Sequence, residues 1–274
     1  MAASSCSICG DSVLAGATCP KHEASVIVAP TTSGVDPLIG SKLGDYEIQE
    51  QVGLGGMGIV YRGVQVQIGK QVAIKVLRPD IASDPGQVQR LLAEAQAVNA
   101  IKHRSIIDIF GFGSVPDGRH YVVMEFLEGE PLDAYLARMS PVRPLEAVPL
   151  LDEILSALGA AHGRAVIHRD LKPSNVFIAT QRDGSQYLKL LDFGLAKRSA
   201  LPNARTAQTN DGSVSGTPDY MAPEQARGAE VGPETDLYAL GILAFEMLTG
   251  QLPFKAPTPI EVLMQVGATI TQTN

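Results

Sequence analysis

The stretch His168-Arg169-Asp170-Leu171-Lys172-Pro173-Ser174-Asn175, with Asp192-Phe193-Gly194 after it, decides how this chain is read. It holds two acids, an amide and a cation in fixed order. These groups can orient a hydroxyl and hold a metal-bound triphosphate. Any one of them is an ordinary loop residue. A run of such groups followed by the acidic tripeptide at this distance is not a chance set.

Upstream, Gly53-Leu54-Gly55-Gly56-Met57-Gly58-Ile59-Val60 fits G-x-G-x-x-G-x-V. Glycines let backbone amides approach phosphate oxygens with no Cβ in the way. A glycine-rich hairpin turn has the same composition, so this motif alone is weak. It lies between two strand-like runs, which disfavours the strand-to-helix dinucleotide fingerprint. Lys75 closes Val72-Ala73-Ile74-Lys75 on the next run. A lysine in an apolar strand is costly unless it is paired or its head snorkels to water. Glu94, in a helical pattern one turn before Val98, is the expected partner; an exposed surface glutamate is the bland alternative.

In this order the motifs resemble the active site of the protein kinases. The resemblance implies an α+β, bilobal fold: a five-stranded antiparallel lobe with one helix, then a mostly helical lobe. It implies ATP and Mg²⁺ (or Mn²⁺) as cofactors. Asp170 would accept or orient the substrate hydroxyl proton, and Lys172 would support the phosphoryl group in transfer, as in the serine/threonine class. Asn175 and Asp192 would hold Mg²⁺. Lys75 would bind the α/β-phosphates and pair with Glu94. The nucleotide would lie against Val52, Gly53, Leu54, Gly55, Gly56, Gly58, Val60, Ala73, Met124, Glu125, Leu127 and Phe177, with Met124 as gatekeeper and Glu125 to Leu127 as the hinge. Val98, Ile109, His168 and Phe193 would stack as a spine resting on Asp236.

The activation segment would run from Asp192 to Glu224, ending in Ala222-Pro223-Glu224. Its middle is polar, and the arginine before Asp170 is of the kind that receives a phosphorylated residue. Thr209 is the first candidate for autophosphorylation, with Thr206 and Ser213 behind it. Gly216-Thr217-Pro218-Asp219-Tyr220 resembles the peptide-binding lip of serine/threonine kinases, with Thr217 bridging Asp170 and Lys172. Pro223-Glu224-Gln225-Ala226-Arg227-Gly228 is similar to bacterial members of the eukaryotic-like (Hanks-type) family. The implied partners are proteins bearing Ser or Thr.

The rest of the chain divides into three zones. Residues 1–22 contain all 3 cysteines. Cys6-x2-Cys9 and Cys19-x2-His22 are two closely spaced pairs that could bite one tetrahedral Zn²⁺ as a small ribbon or knuckle, serving partner binding or a dimer. A disordered tail with incidental thiols is the alternative. Residues 23–44 read as a flexible linker. From Tyr46 the patterns become regular: strands at Tyr46–Val52, Ile59–Val64, Val72–Leu77, Ile106–Val115 and His120–Phe126, and a helix from Pro85 to Lys102. Helices are expected at Leu132–Met139, Leu145–Gly163, Thr235–Leu248 and Pro259–Gly267.

Composition narrows the function classes. A net charge of −7 and a pI near 5.3 argue against a nucleic-acid binder. No apolar run is long enough to span a membrane, and a cytoplasmic address is expected. Fewer than the roughly 260 residues usual for the family follow Tyr46, so the last helices of the large lobe are expected to be missing. Glu224 would then lack its usual arginine, and Leu240, Leu243 and Leu248 would be less covered. Two readings remain open: an active serine/threonine protein kinase, and a truncated, kinase-like nucleotide-binding regulatory protein with little turnover. A small-molecule kinase is a weaker third, because the lip favours proteins.

Overall fold

The computed structural model describes residues 3–5, 12–14, 36–55, 57–79, 85–193 and 218–269. The chain divides into two compact units, Met1–Gly40 and Ser41–Asn274. In the first, β1 (Ala3–Ser5) pairs antiparallel with β2 (Ser12–Leu14), Ala3 opposite Leu14. The two strands bracket Cys6 and Cys9 in the sequence. Cys6, Cys9, Cys19 and His22 lie outside the described residues.

The second unit begins with a six-stranded antiparallel sheet. It contains β3 (Lys42–Leu43), β4 (Tyr46–Gly55), β5 (Gly58–Gln65), β6 (Lys70–Leu77), β7 (Ile109–Ser114) and β8 (His120–Glu125), in the order β3-β4-β5-β6-β8-β7. Helix α1 (Pro85–Asn99) lies in the sequence between β6 and β7. The expectation of five strands needs correction. Lys42-Leu43 falls in the expected linker because two residues show no periodicity, yet Leu43 pairs with Tyr46 and is buried. Along α1 the buried positions are Leu91, Ala95 and Val98, the i, i+4, i+7 stripe that faces the core. Leu91 and Ala95 pack with Leu77, Ile109 and Val122 into one small core.

The chain then crosses through β9 (Gly129–Pro131), α2 (Leu132–Met139), α3 (Pro144–His162), β10 (Val176–Thr180) and β11 (Gln186–Leu190). After that come α4 (Pro223–Ala226), α5 (Pro233–Thr249) and α6 (Pro259–Thr269). Strands β9, β10 and β11 form a separate three-stranded sheet, order β11-β10-β9, where no strand is expected from the sequence. The signal was present: Val176-Phe177-Ile178 and Tyr187-Leu188 flank a polar turn containing Asp183-Gly184. The larger core joins Ile154, Ala157, Leu158 and Ala161 of α3 to Val176, Ile178, Leu188 and Leu190 of the sheet and to Leu240, Leu243 and Met247 of α5. Leu240 and Leu243 are therefore buried, against expectation, because α3 and the sheet cover them; Leu248 is 43% exposed.

Segment 105–108 links the two sheets. Leu190 N–H donates to Ser105 O at 2.8 Å and Ile107 N–H to Leu190 O at 3.1 Å. On the other side, Glu125 N–H donates to Asp108 O at 3.0 Å.

Candidate active site

The turn between β4 and β5 is shaped by one glycine more than by the others. Gly58 has φ +157°, and a Cβ there would lie 2.0 Å from Val76 O. The loop must therefore approach the β6 backbone just beyond Lys75, which only glycine allows. Cβ atoms built on Gly53 and Gly55 would meet nothing nearer than 3.7 and 3.9 Å. No described neighbour requires glycine at those two positions, and the open space would let a phosphate approach the backbone. Gly56 lies outside the described residues, and Val52 and Leu54 are exposed.

Strand register sets the roof of the cleft. Val60 opposes Lys75, and Lys75 opposes Val122; Ala73 opposes Met124. Directly opposed residues of antiparallel strands share a face. Val60, Ala73, Lys75, Val122 and Met124 therefore line one side of the sheet. Glu125 ends β8, and half-buried Leu127 follows it. Phe177, also half-buried, sits in β10 opposite Pro131 on one side and Lys189 on the other.

Lys75 is buried, and its Nζ donates to Asp192 Oδ2 at 2.6 Å. The expected Lys75–Glu94 pair is not formed. Glu94 Oε1 instead lies 4.0 Å from Arg169 Nη1, at the back of the catalytic loop. Of the two carboxylates, Asp192 is the one within reach of the ammonium. The sulfur of Met57, from the glycine loop, lies 3.8 Å from the same ammonium.

The catalytic loop is held from below by Asp236 at the start of α5. Asp236 is 1% exposed and accepts from His168 N–H at 2.8 Å and Arg169 N–H at 2.8 Å. His162 Nε2, at the end of α3, lies 2.7 Å from the same carboxylate. Arg169 takes a left-handed conformation, φ +64°, which costs a non-glycine residue about 1–2 kcal/mol. Its carbonyl is clamped as well, accepting from Gln225 Nε2 at 2.8 Å. Asp192 is also left-handed, with φ +47°.

His168 Nε2 is 2.9 Å from Leu191 O. A carbonyl can only accept, so Nε2 carries the proton and Nδ1 is free to accept from Asp170 N–H at 3.4 Å. Burial pushes the imidazole below its ordinary 6.5, against the opposing pull of Asp236, Asp170 and Asp192. Its ring stacks, tilted, on Phe193 with centroids 4.6 Å apart. Val98 shares the large core with Phe193, and Ile109 lies with both around the same small cavity under Lys75.

Asp170 and Lys172 lie side by side, Nζ to Oδ2 3.2 Å. Asn175 Nδ2 donates to Asp170 O at 2.7 Å and to Asp170 Oδ2 at 3.1 Å. With its nitrogen engaged, Asn175 offers its amide oxygen, the hard donor that Mg²⁺ takes. Leu191 N–H donates to Asn175 O at 2.9 Å, which brings the Asp192 backbone close to Asn175. An oxygen-only pair of this kind suits Mg²⁺, which keeps waters and substrate phosphates as its other ligands.

Gly194 and residues 195–217, with Thr206, Thr209, Ser213 and Thr217, lie outside the described residues. Where the chain is described again, half-buried Glu224 accepts from Thr235 Oγ1 at 2.6 Å, so the carboxylate expected to lack a partner has a hydroxyl. Tyr220 donates to Glu246 Oε2 at 2.5 Å, in a cavity of about 580 Å³ that also takes in Asp133 and Lys172. Gln225, His162, Glu246 and Lys189 were missed in the sequence. Their partners are 56, 74, 26 and 64 positions away, and no local pattern marks such pairs.

The protein kinase domain model matches residues 46–273, nearly all of the second unit. The chain belongs to the protein kinase domain family. It is similar to a serine/threonine-protein kinase, Pkn1, of Myxococcus xanthus, at 42% identity over 91% of this chain and 36% of that protein. PrkC of Bacillus subtilis is 38% identical over 83% of the chain and 34% of its own length. PknA of Mycobacterium tuberculosis is 36% identical over 84% and 53%. All three carry the name serine/threonine-protein kinase, which puts the chain in the bacterial Hanks-type branch of the family. The chain spans a third to a half of the length of these relatives.

Proposed function

We propose that this chain transfers the γ-phosphoryl group of ATP to serine and threonine hydroxyls of proteins. The observation that supports the proposal is a run of contacts from Lys75 to Asp192, from neighbouring Leu191 to Asn175, and from Asn175 to Asp170 and Lys172. Asp170 orients the incoming hydroxyl and takes its proton, and Lys172 beside it stabilises the phosphoryl oxygens. Lys75 holds the α/β-phosphates. Asn175 and Asp192 would hold Mg²⁺, which neutralises charge developing on the β/γ-oxygens. The backbone of Glu125 to Leu127 would bond the adenine edge, with Val60, Ala73, Met124 and Phe177 around the base. ATP-dependent labelling of a protein substrate by the wild-type chain, lost in Lys75→Met, tests this reading. Labelling that persists in that variant contradicts it.

A second reading, nucleotide binding with little turnover, is favoured by one observation: Glu94 stands by Arg169 and not by Lys75. Nucleotide affinity without transfer in the wild type would decide for it.

Three further proposals rest on sequence. Thr209, then Thr206 and Ser213, are autophosphorylation sites; mass spectrometry of active protein with no phosphate between residues 199 and 216 would refute this. Cys6, Cys9, Cys19 and His22 bind one Zn²⁺, which a module this small needs in order to fold; reduced protein with no stoichiometric zinc would refute it. The composition and the ATP requirement fit a cytoplasmic address, and among the described residues no helix is long and apolar enough to cross a membrane.

A further inference from the structure

Lys189 is a buried cation outside the transfer machinery. It lies in β11, three positions before Asp192, and is 5% exposed. Its Nζ donates to Glu125 Oε1 at 2.5 Å and to Ile106 O at 2.9 Å. Glu125 Oε1 also accepts from Asp108 N–H at 2.9 Å, while Glu125 N–H donates to Asp108 O at 3.0 Å. Glu125 is thus fixed by side chain and backbone together: it pairs with Val72 of β6 in the sheet, and its hydrogen bonds here go to segment 105–108 and to Lys189 of β11. β11 runs straight on to Asp192. One end of this assembly is the strand end that would carry adenine, and the other is the strand that delivers the metal-binding aspartate.

We propose that the Lys189–Glu125 pair positions the hinge backbone relative to Asp192, so that adenine and metal-bound phosphates are held at the correct separation. Lys189 is a positioning residue in this scheme and touches no substrate. The proposal rests on the kinase reading of the cleft. Its physical basis is that the ammonium of buried Lys189 is held by both Glu125 and Ile106 O, whereas removing the lysine leaves the half-buried Glu125 carboxylate without its cation. In Lys189→Met the half-buried Glu125 carboxylate loses its cation and turns toward water, drawing the hinge with it. In Lys189→Met/Glu125→Gln the carboxylate is gone, and the amide oxygen still accepts from Asp108 N–H.

The test uses the full 274-residue chain and measures Mg²⁺-ADP affinity by calorimetry, melting temperature, and KM for ATP against kcat. Lys189→Met is expected to weaken ADP binding and raise KM about tenfold, with kcat at saturating ATP within about threefold of wild type. The double variant is expected to recover affinity to within about threefold, because the pair is coupled. Wild-type affinity in Lys189→Met, even with a lower melting temperature, overturns the proposal. So does a double variant as weak as the single, which would assign the effect to lost packing. Should Lys189→Met fail to fold, Glu125→Gln is read alone: about tenfold weaker binding supports the proposal, and unchanged binding overturns it. ADP affinity does not depend on turnover, so a wild type that binds but does not transfer refutes the kinase activity without obscuring this result.

Discussion

Replacing Asp236 by Asn removes one negative charge and nothing of the shape. The carboxylate accepts three hydrogen bonds, from His168 N–H, Arg169 N–H and His162 Nε2, at 2.8, 2.8 and 2.7 Å. Asn keeps one acceptor oxygen and turns an NH₂ group toward the remaining donors, so at least one buried backbone N–H is left without an acceptor. Hydrogen bonds to a charged group contribute about 1.5–3 kcal/mol each, and an unmade buried one costs about 1–3. The expected loss is roughly 2–4 kcal/mol, which lowers the melting temperature of a domain this size by about 5–15 °C. The catalytic consequence is separate. Arg169 holds φ +64° because its N–H and carbonyl are both clamped. With the first clamp weakened the loop relaxes and takes Asp170 with it. A misplacement of about 1 Å can cost about a hundredfold in rate. Phosphotransfer at about 25 °C, where the variant is still folded, should fall about that far, beyond what unfolding explains. Thermal melts and initial rates on the same preparation check both effects. A variant melting within about 2 °C of wild type at the wild-type rate would refute the argument that Asp236 carries the loop.

The glycine loop and His168 give further expectations. Gly58→Ala should lower the melting temperature, because its Cβ would meet Val76 O at 2.0 Å, whereas Gly55→Ala should leave stability nearly unchanged and raise KM for ATP. Equal effects of the two on melting would contradict the division. For His168 the folded value lies below 6.5, so between the two values the unfolded chain binds the extra proton. Stability is therefore fully present above 6.5 and declines as pH falls through that window toward the folded value. Melting temperature measured from about pH 7.5 to about pH 5.5 should fall more steeply in wild type than in His168→Phe. Parallel slopes would show that the ring does not titrate with folding.

What could be read in the sequence were features whose cause is local. The β-branched runs, the α1 stripe of Leu91, Ala95 and Val98, and the contiguous catalytic loop all carry their own pattern. β3 was missed because two residues have no period, and β10–β11 because a short apolar run followed by a polar turn resembles a loop when helices are expected on both sides. The site itself was legible as a list of residues but not as a set of pairs. Lys75 and Glu94 stand in motif order, yet Asp192 competes for the same ammonium from 117 positions away, and only the folded geometry decides that contest. Gln225 on Arg169 and Lys189 on Glu125 are of the same kind. Each is a polar residue with nothing unusual around it until the chain brings its partner to it.

The most direct measurement of the central claim is transfer of ³²P from γ-labelled ATP to a protein substrate by the wild-type chain and by Asp170→Asn. Asp170 sits 3.2 Å from Lys172 and accepts from Asn175, so the amide preserves the contact with little change of shape while removing the carboxylate proposed as base. The expected result is label on serine or threonine with wild type, and a rate lower by at least about a hundredfold in Asp170→Asn at unchanged Mg²⁺-ADP affinity. Equal transfer by the two proteins, or no transfer by wild type that binds nucleotide, would contradict it.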